Sequence, residues 1–206
     1  MEDIILIGFG GHAKSVADCI ERQKEYRIIG YTELAEVQSK YPYLGTDDVL
    51  KEYYKKGVQN VAICQGYLGK GNIRERIYKL VKEIGFCLPV IADPSSVVAE
   101  TAIIGEGTFI GKGAIVNAEA SVGKMCIINT KALIEHECVV GDFSHVAVGA
   151  TICGQVEIGK RAFIGSNATV IQCMNVTDNR IIPAGITLRE NNKMVKYFDL
   201  NEKLGG

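Results

Sequence analysis

The run Ile134-Glu135-His136-Glu137-Cys138 sets an imidazole beside carboxylates. A general base needs that arrangement, because the carboxylate orients the ring and stabilises the imidazolium formed when a proton is taken. A second histidine follows in Phe143-Ser144-His145, and the third lies in the loop Gly8-Phe9-Gly10-Gly11-His12-Ala13. That loop fits the G-x-G-x-x-A form of the dinucleotide fingerprint, in which glycines let backbone amides approach a phosphate at a helix N-terminus. Glu33, about 20 residues downstream, is placed to contact a ribose or an amino group, and Gln65-Gly66 is a second turn facing the same crevice. The chain has 3 histidines, and all fall in these segments. A surface histidine and a plain strand-to-helix turn are the structural alternatives. Cys138 is a competing nucleophile, but its place in the repeat described next predicts a buried, inert thiol.

The elements that must position these groups are of two kinds. From Val98 to Val176 every sixth residue is Val or Ile, without a break in register. Six is neither the period of a helix nor that of a plain strand, and it predicts a β-solenoid of short strands with a bore of stacked aliphatic side chains. Small residues such as Ala114, Ala132, Cys138 and Ser144 precede the aliphatic position by two, as at a corner. Gly105, Gly111, Gly123, Gly141, Gly159 and Gly165 follow it, where a positive φ or a close backbone approach is expected. His136 and His145 are out of step with the bore and belong on outer surfaces. One coil of three strands takes about 18 residues, so Gly154 lies one coil above His136, where a backbone amide can stabilise an oxyanion.

Residues 1–92 instead alternate strands and helices, as in a small Rossmann-like α/β domain with a parallel sheet. Strands are expected at Ile4–Gly8, Arg27–Tyr31, Asn60–Cys64 and Leu88–Ala92, and helices at His12–Lys24, Asp47–Lys56 and Ile73–Ile84, the last with Arg74, Arg76, Lys79 and Lys82 on a charged face. Residues 93–188 form the repeat domain, entered through the linker Asp93-Pro94-Ser95-Ser96, and 189–206 a loose or helical tail. About 90 residues hold only one mononucleotide half of a doubly wound fold, which argues against an NAD-linked reductase.

A net charge of −1 and 47% hydrophobic residues offer nothing basic enough to seek nucleic acid. The apolar run Ile4–Ile7 is too short for a signal core or a membrane span, so a cytoplasmic protein is expected. The 7 cysteines form no C-x-x-C pair and read as reduced core residues rather than disulfides or metal ligands.

The loop Gly-Phe-Gly-Gly-His-Ala-Lys, the run Gly-Asn-Ile-Arg-Glu-Arg at 71–76 and, above all, Ile-Glu-His-Glu-Cys-Val-Val-Gly-Asp-Phe-Ser-His-Val at 134–146 resemble one known group. It is the family of bacterial sialic-acid O-acetyltransferases and UDP-4-amino-sugar N-acetyltransferases. The resemblance implies an α/β N-terminal domain plus a C-terminal left-handed parallel β-helix. It also implies a homotrimer with sites between subunits, acetyl-CoA as co-substrate and no metal. The activity implied is acetylation of an amino group on a nucleotide-linked sugar, in bacterial surface-glycan or glycoprotein sugar biosynthesis. O-acetylation of a sialic acid and a non-catalytic nucleotide-sugar-binding trimer are the alternatives. Carried over, His136 is the general base and Glu137 the group that raises its basicity. Asn129, His145, Gly154 and Ser166 fall on the acetyl-CoA side, and Gly10, Gly11, His12, Thr32, Glu33 and Gly66 on the sugar nucleotide. Two departures stand out. Thr32-Glu33 replaces the paired acids that such UDP-sugar enzymes carry at the end of strand two, and Ile182-Pro183-Ala184-Gly185-Ile186 stands in place of Gly-x-Pro-Ala-Lys.

Overall fold

The computed structural model describes residues 1–190 of the 206; most of the expected tail lies outside them. The N-terminal sheet comprises β1 (Glu2–Ile7), β2 (Tyr26–Thr32), β3 (Tyr43–Gly45) and β4 (Asn60–Ile63), all parallel, in the order β3-β2-β1-β4. Around it lie α1 (Gly11–Gln23), a 3₁₀ turn at Asp47–Val49 running into α2 (Leu50–Lys55), and α3 (Ile73–Ile84). Ile4–Ile7 of β1 and Val61–Ile63 of β4 are continuous apolar runs because helices cover both faces of a parallel sheet. Ile4 and Leu6 pack toward α1, while Ile5 and Ile7 pack toward α3. This is one mononucleotide half, with its crevice at the carboxyl ends of the strands on either side of β1.

The fourth strand of this sheet is Tyr43–Gly45, not Leu88–Ala92. Ile91–Ala92 pairs instead with Phe109–Ile110 in the solenoid, so Asp93 to Ser96 is already part of a coil, with the Asp93 N–H donating to the Ile110 carbonyl. A three-residue strand at a sheet edge carries too little periodicity to be seen in sequence.

The solenoid is a left-handed parallel β-helix of three faces. Face I stacks Ile91–Ala92, Phe109–Ile110, Ile127–Ile128, His145–Val146, Phe163–Ile164 and Ile181–Ile182. Face II stacks Val97–Val98, Ile115–Val116, Leu133–Ile134, Thr151–Ile152, Thr169–Val170 and Thr187–Leu188. Face III carries Ile103–Ile104, Ser121–Val122, Val139–Val140, Glu157–Ile158 and Asn175–Val176. The expected aliphatic column fills the bore, with Ile110, Ile128, Ile134, Val146 and Ile152 at most 1% exposed. Each contributes about 1.5–3 kcal/mol by leaving water. Ile134 also fixes the strand that feeds His136.

The corners differ from expectation in one respect. The glycines after the aliphatic position are not the residues at positive φ; they are sites of close approach, and a Cβ on Gly141 would lie 2.6 Å from the Lys160 nitrogen in the next coil. Positive φ falls two residues later, at every sixth residue from Gly107 to Gly185, and mostly on non-glycines such as Lys131, Glu137 and Phe143. A left-handed conformation costs about 1–2 kcal/mol per non-glycine residue, which the coil-to-coil hydrogen bonds must offset. Pro183-Ala184-Gly185 is such a corner, with Gly185 at φ 70°.

The N-terminal domain sits on face I. Phe109 and Ile127 join the core around α1, and Met125 joins that around α3. Arg22–Asp93 and Lys82–Glu106 ion pairs, each 2.9 Å, and a Lys112–Asp18 pair fasten the rim. No helix among the described residues is long and apolar enough to cross a membrane.

Candidate active site

His136 follows face II at the corner leading to face III, its side chain 55% exposed. Nδ1 lies 3.0 Å from the Glu137 carboxylate, so that nitrogen carries the proton in the neutral ring and Nε2 is left as the base. Gln155, one coil above, donates to the same carboxylate oxygen at 3.1 Å. Glu137 owes its place to its left-handed backbone, φ 58°, which turns it back beside the ring. Gly154 stands above the imidazole: a Cβ there would lie 2.6 Å from Nε2. The base, its orienting acid and Gly154 therefore occupy one corner, as the coil length requires.

Asn129 and Ser166 lie on a different corner, between faces I and II, and His145 points outward from face I. His145 is 7% exposed. Its Nδ1 donates to the Tyr67 carbonyl at 2.6 Å, and its Nε2 accepts from the Asn129 amide at 3.2 Å. Burial holds its pKa down at about 4. It is thus a neutral ring with both nitrogens engaged, under the N-terminal domain. His12 lies edge-on to Phe109 with centroids 5.1 Å apart, and burial, reinforced by the Arg74 charge, brings its pKa to about 3.

Arg74, read in sequence as part of a solvated helix face, is 4% exposed. Its Nη2 donates to the Met125 carbonyl at 2.6 Å, while Nε and Nη1 have no protein partner among the described residues. Burial lowers its pKa to about 10. Only the Gly-Asn-Ile-Arg-Glu-Arg run hinted that it differs from the other cations of α3.

At the carboxyl edge of the sheet a cavity of about 530 Å³ is lined by Gly8, Gly10, Thr32, Glu33, Leu34, Thr46, Asp47, Asp48, Gln65, Ile73 and others. Of the expected substrate residues, Gly10, Thr32 and Glu33 line it. Gly11, His12 and Gly66 do not, and Gly66 instead abuts His12. Helix α1 begins at Gly11, after the N-cap Gly10, with no side-chain cap and no acid in its first turn, so its N–H groups and dipole can receive an anion. Glu33 accepts from the Phe9 N–H at 3.0 Å and from its own neighbour Leu34 at 2.9 Å, tying the glycine loop to the end of β2. Asp47 and Asp48 were missed in the sequence, where they read only as a helix start.

The cysteines are all free, and Cys138 is buried with its Sγ donating to the Cys153 carbonyl at 3.1 Å. Burial raises its pKa, which opposes thiolate chemistry. Cys87 and Cys173 are exposed, contrary to a uniformly buried set.

Residues 3–81 match the family model of the PglD N-terminal domain. The GDP-perosamine N-acetyltransferase of Escherichia coli O157:H7 is 31% identical over 132 residues, 64% of this chain and 58% of that protein. In sequence the chain is similar to a perosamine N-acetyltransferase. The matched stretch spans less than two thirds of that curated relative, but the structural likeness runs further. PerB from Caulobacter crescentus, solved in complex with CoA and GDP-perosamine, superposes with a TM-score of 0.87 at 27% identity, covering 93% of this chain and 90% of that one. The acetyltransferase domain of PglB from Neisseria gonorrhoeae gives 0.86 at 27% identity and 94% of both chains, and it has also been solved with acetyl coenzyme A.

Proposed function

We propose that this protein transfers acetyl from acetyl-CoA to the amino group of a nucleotide-linked amino sugar. The observation that carries the reading is the His136 corner, an exposed imidazole with Nδ1 held by Glu137 and Nε2 facing Gly154 of the next coil. The amine nitrogen attacks the thioester carbonyl while Nε2 takes its proton, a tetrahedral oxyanion forms near Gly154, and the C–S bond breaks as the imidazolium hands that proton to the sulfur, releasing CoA as its thiol. No covalent enzyme intermediate is needed, in keeping with the buried state of Cys138. The glycine loop and α1 N-terminus receive the diphosphate, and bringing both substrates together supplies rate through orientation. The relatives solved with CoA, acetyl coenzyme A and GDP-perosamine support both substrate classes.

Asn129 and Ser166 sit at the corner between faces I and II, and His145, beside Asn129 on face I, lies beneath the chain's own N-terminal domain. A homotrimer in which the His136 corner of one copy meets the face I–II corner of the next brings the two sets together, and it places the acetyl-CoA groove between subunits. Val97 at 61% and Val139 at 47% exposure on faces II and III support such packing. Both substrates belong to cytoplasmic pools, so the reaction is assigned there.

The test is thiol release from acetyl-CoA with GDP- and UDP-linked 4-amino sugars, CMP-sialic acid and free sialic acid. Turnover of an amino-sugar nucleotide, with the N-acetyl product seen by mass spectrometry, is expected. Turnover of sialic acids alone overturns the amine assignment.

A further inference from the structure

The corner that carries His136 recurs in each coil, and three of its residues are joined through their side chains. Glu137, Gln155 and Cys173 stand 18 residues apart with φ of 58°, 60° and 57°, so each is stacked on the one before. The Gln155 Nε2 donates to the Glu137 carboxylate at 3.1 Å, and its Oε1 accepts from the Cys173 thiol at 3.4 Å. The thiol fixes which way round the amide lies, with its two N–H donors toward the carboxylate. Gln155 also reaches the other half of the pair, because its backbone N–H donates to the His136 carbonyl at 3.0 Å. Gly154 leaves room for the ring, and the residue after it closes over Glu137. One coil below, the same left-handed position holds Glu119. Glu137 therefore has an amide donor on one side and a like charge on the other.

Resting on the acetyl-transfer reading above, we infer that Gln155 is a positioning residue for the His136–Glu137 pair: it holds the carboxylate on Nδ1, so that Nε2 stays open to take the amine proton. The Glu137 side chain is 47% exposed, and a glutamate at such a site gives up rotamer freedom to stay beside the ring. The tether from the next coil offsets that cost. An imidazole with no acceptor at Nδ1 favours the tautomer protonated at Nε2, and in that form Nε2 is a donor and takes no proton. The amide is also neutral. It leaves the carboxylate's charge to the imidazolium, which a cation at position 155 would draw away.

The test is Gln155→Met, which keeps the length of the side chain and removes the donor, made in the full-length protein alone and together with Glu137→Ala. Thermal unfolding of each verifies that the fold is kept. Nitrogen NMR of protein carrying isotope-labelled histidine reads the ring tautomer with no substrate present. In the unprotonated ring of His136, wild type shows the Nδ1–H form and Gln155→Met a mixture with the Nε2–H form, while the His145 signals stay where they are. In thiol release, Gln155→Met lowers kcat about three- to tenfold, the size of one hydrogen bond, with the KM of each substrate within about twofold of wild type. It adds nothing to the loss caused by Glu137→Ala, because it acts through that carboxylate. An unchanged tautomer balance in Gln155→Met, or the same fold-loss with and without Glu137, overturns the inference. Failure of the activity reading shows separately, as the tautomer change in a protein that releases no thiol from acetyl-CoA.

Discussion

His136 and His145 lie in the same stretch of sequence, yet the fold treats them oppositely. His136, at the free corner between faces II and III, is solvent-exposed, with one nitrogen held by Glu137 and the other open beneath Gly154. His145, on the covered face, has both nitrogens committed and a pKa held down at about 4 by burial. The contrast teaches that the six-residue register assigns roles through which face or corner a residue reaches, and that only the uncovered corner leaves an imidazole free for proton transfer.

The largest effect that sharpens this comparison is on turnover. His136→Ala lowers kcat by roughly two to four decades, measured by thiol release, with the melting temperature within a few degrees of wild type. His145→Ala strikes the other quantity: it strands the Tyr67 carbonyl and the Asn129 amide and costs about 2–3 kcal/mol of stability, measurable by chemical denaturation. A small stability loss there would break the distinction.

Next in size is the acid dependence of stability. The folded pKa of His145 lies below the unfolded value of about 6.5, so the unfolded chain binds more protons in between. The contribution is complete above that unfolded value and drains away as pH falls toward 4, the loss amounting to about 2 kcal/mol by pH 5. His12, at about 3, acts in the same direction. Melting temperature should therefore fall from pH 7 to pH 5, and His145→Gln should flatten the slope. The smallest effect belongs to Cys138→Ala, which keeps kcat within about threefold of wild type because direct transfer needs no thiol; a loss comparable to that of His136→Ala would restore the covalent route.

Much of this was legible before any coordinates. The bore was readable because each position demands one kind of side chain at a fixed interval, and the register alone puts Gly154 over His136. The left-handed corners were not, because Lys131, Glu137 and Phe143 carry a conformation that sequence assigns to glycine. Nor was the burial of Arg74, since its seat is made by Met125, distant in the chain. The Asp47–Asp48 pair was hidden for a related reason: its partner Thr32 lies at the end of another strand. Tyr43–Gly45 was too short to declare itself, and Ile91–Ala92 is recognisable as solenoid only through its pairing with Phe109.

The central claim is that the Nε2 atom of His136 takes the proton during transfer. The pH profile of kcat, compared between wild type and His136→Ala with both substrates saturating, tests it most directly. Wild type should show an ascending limb that is absent from the residual activity of the variant; the same limb at the same midpoint in His136→Ala would contradict the account.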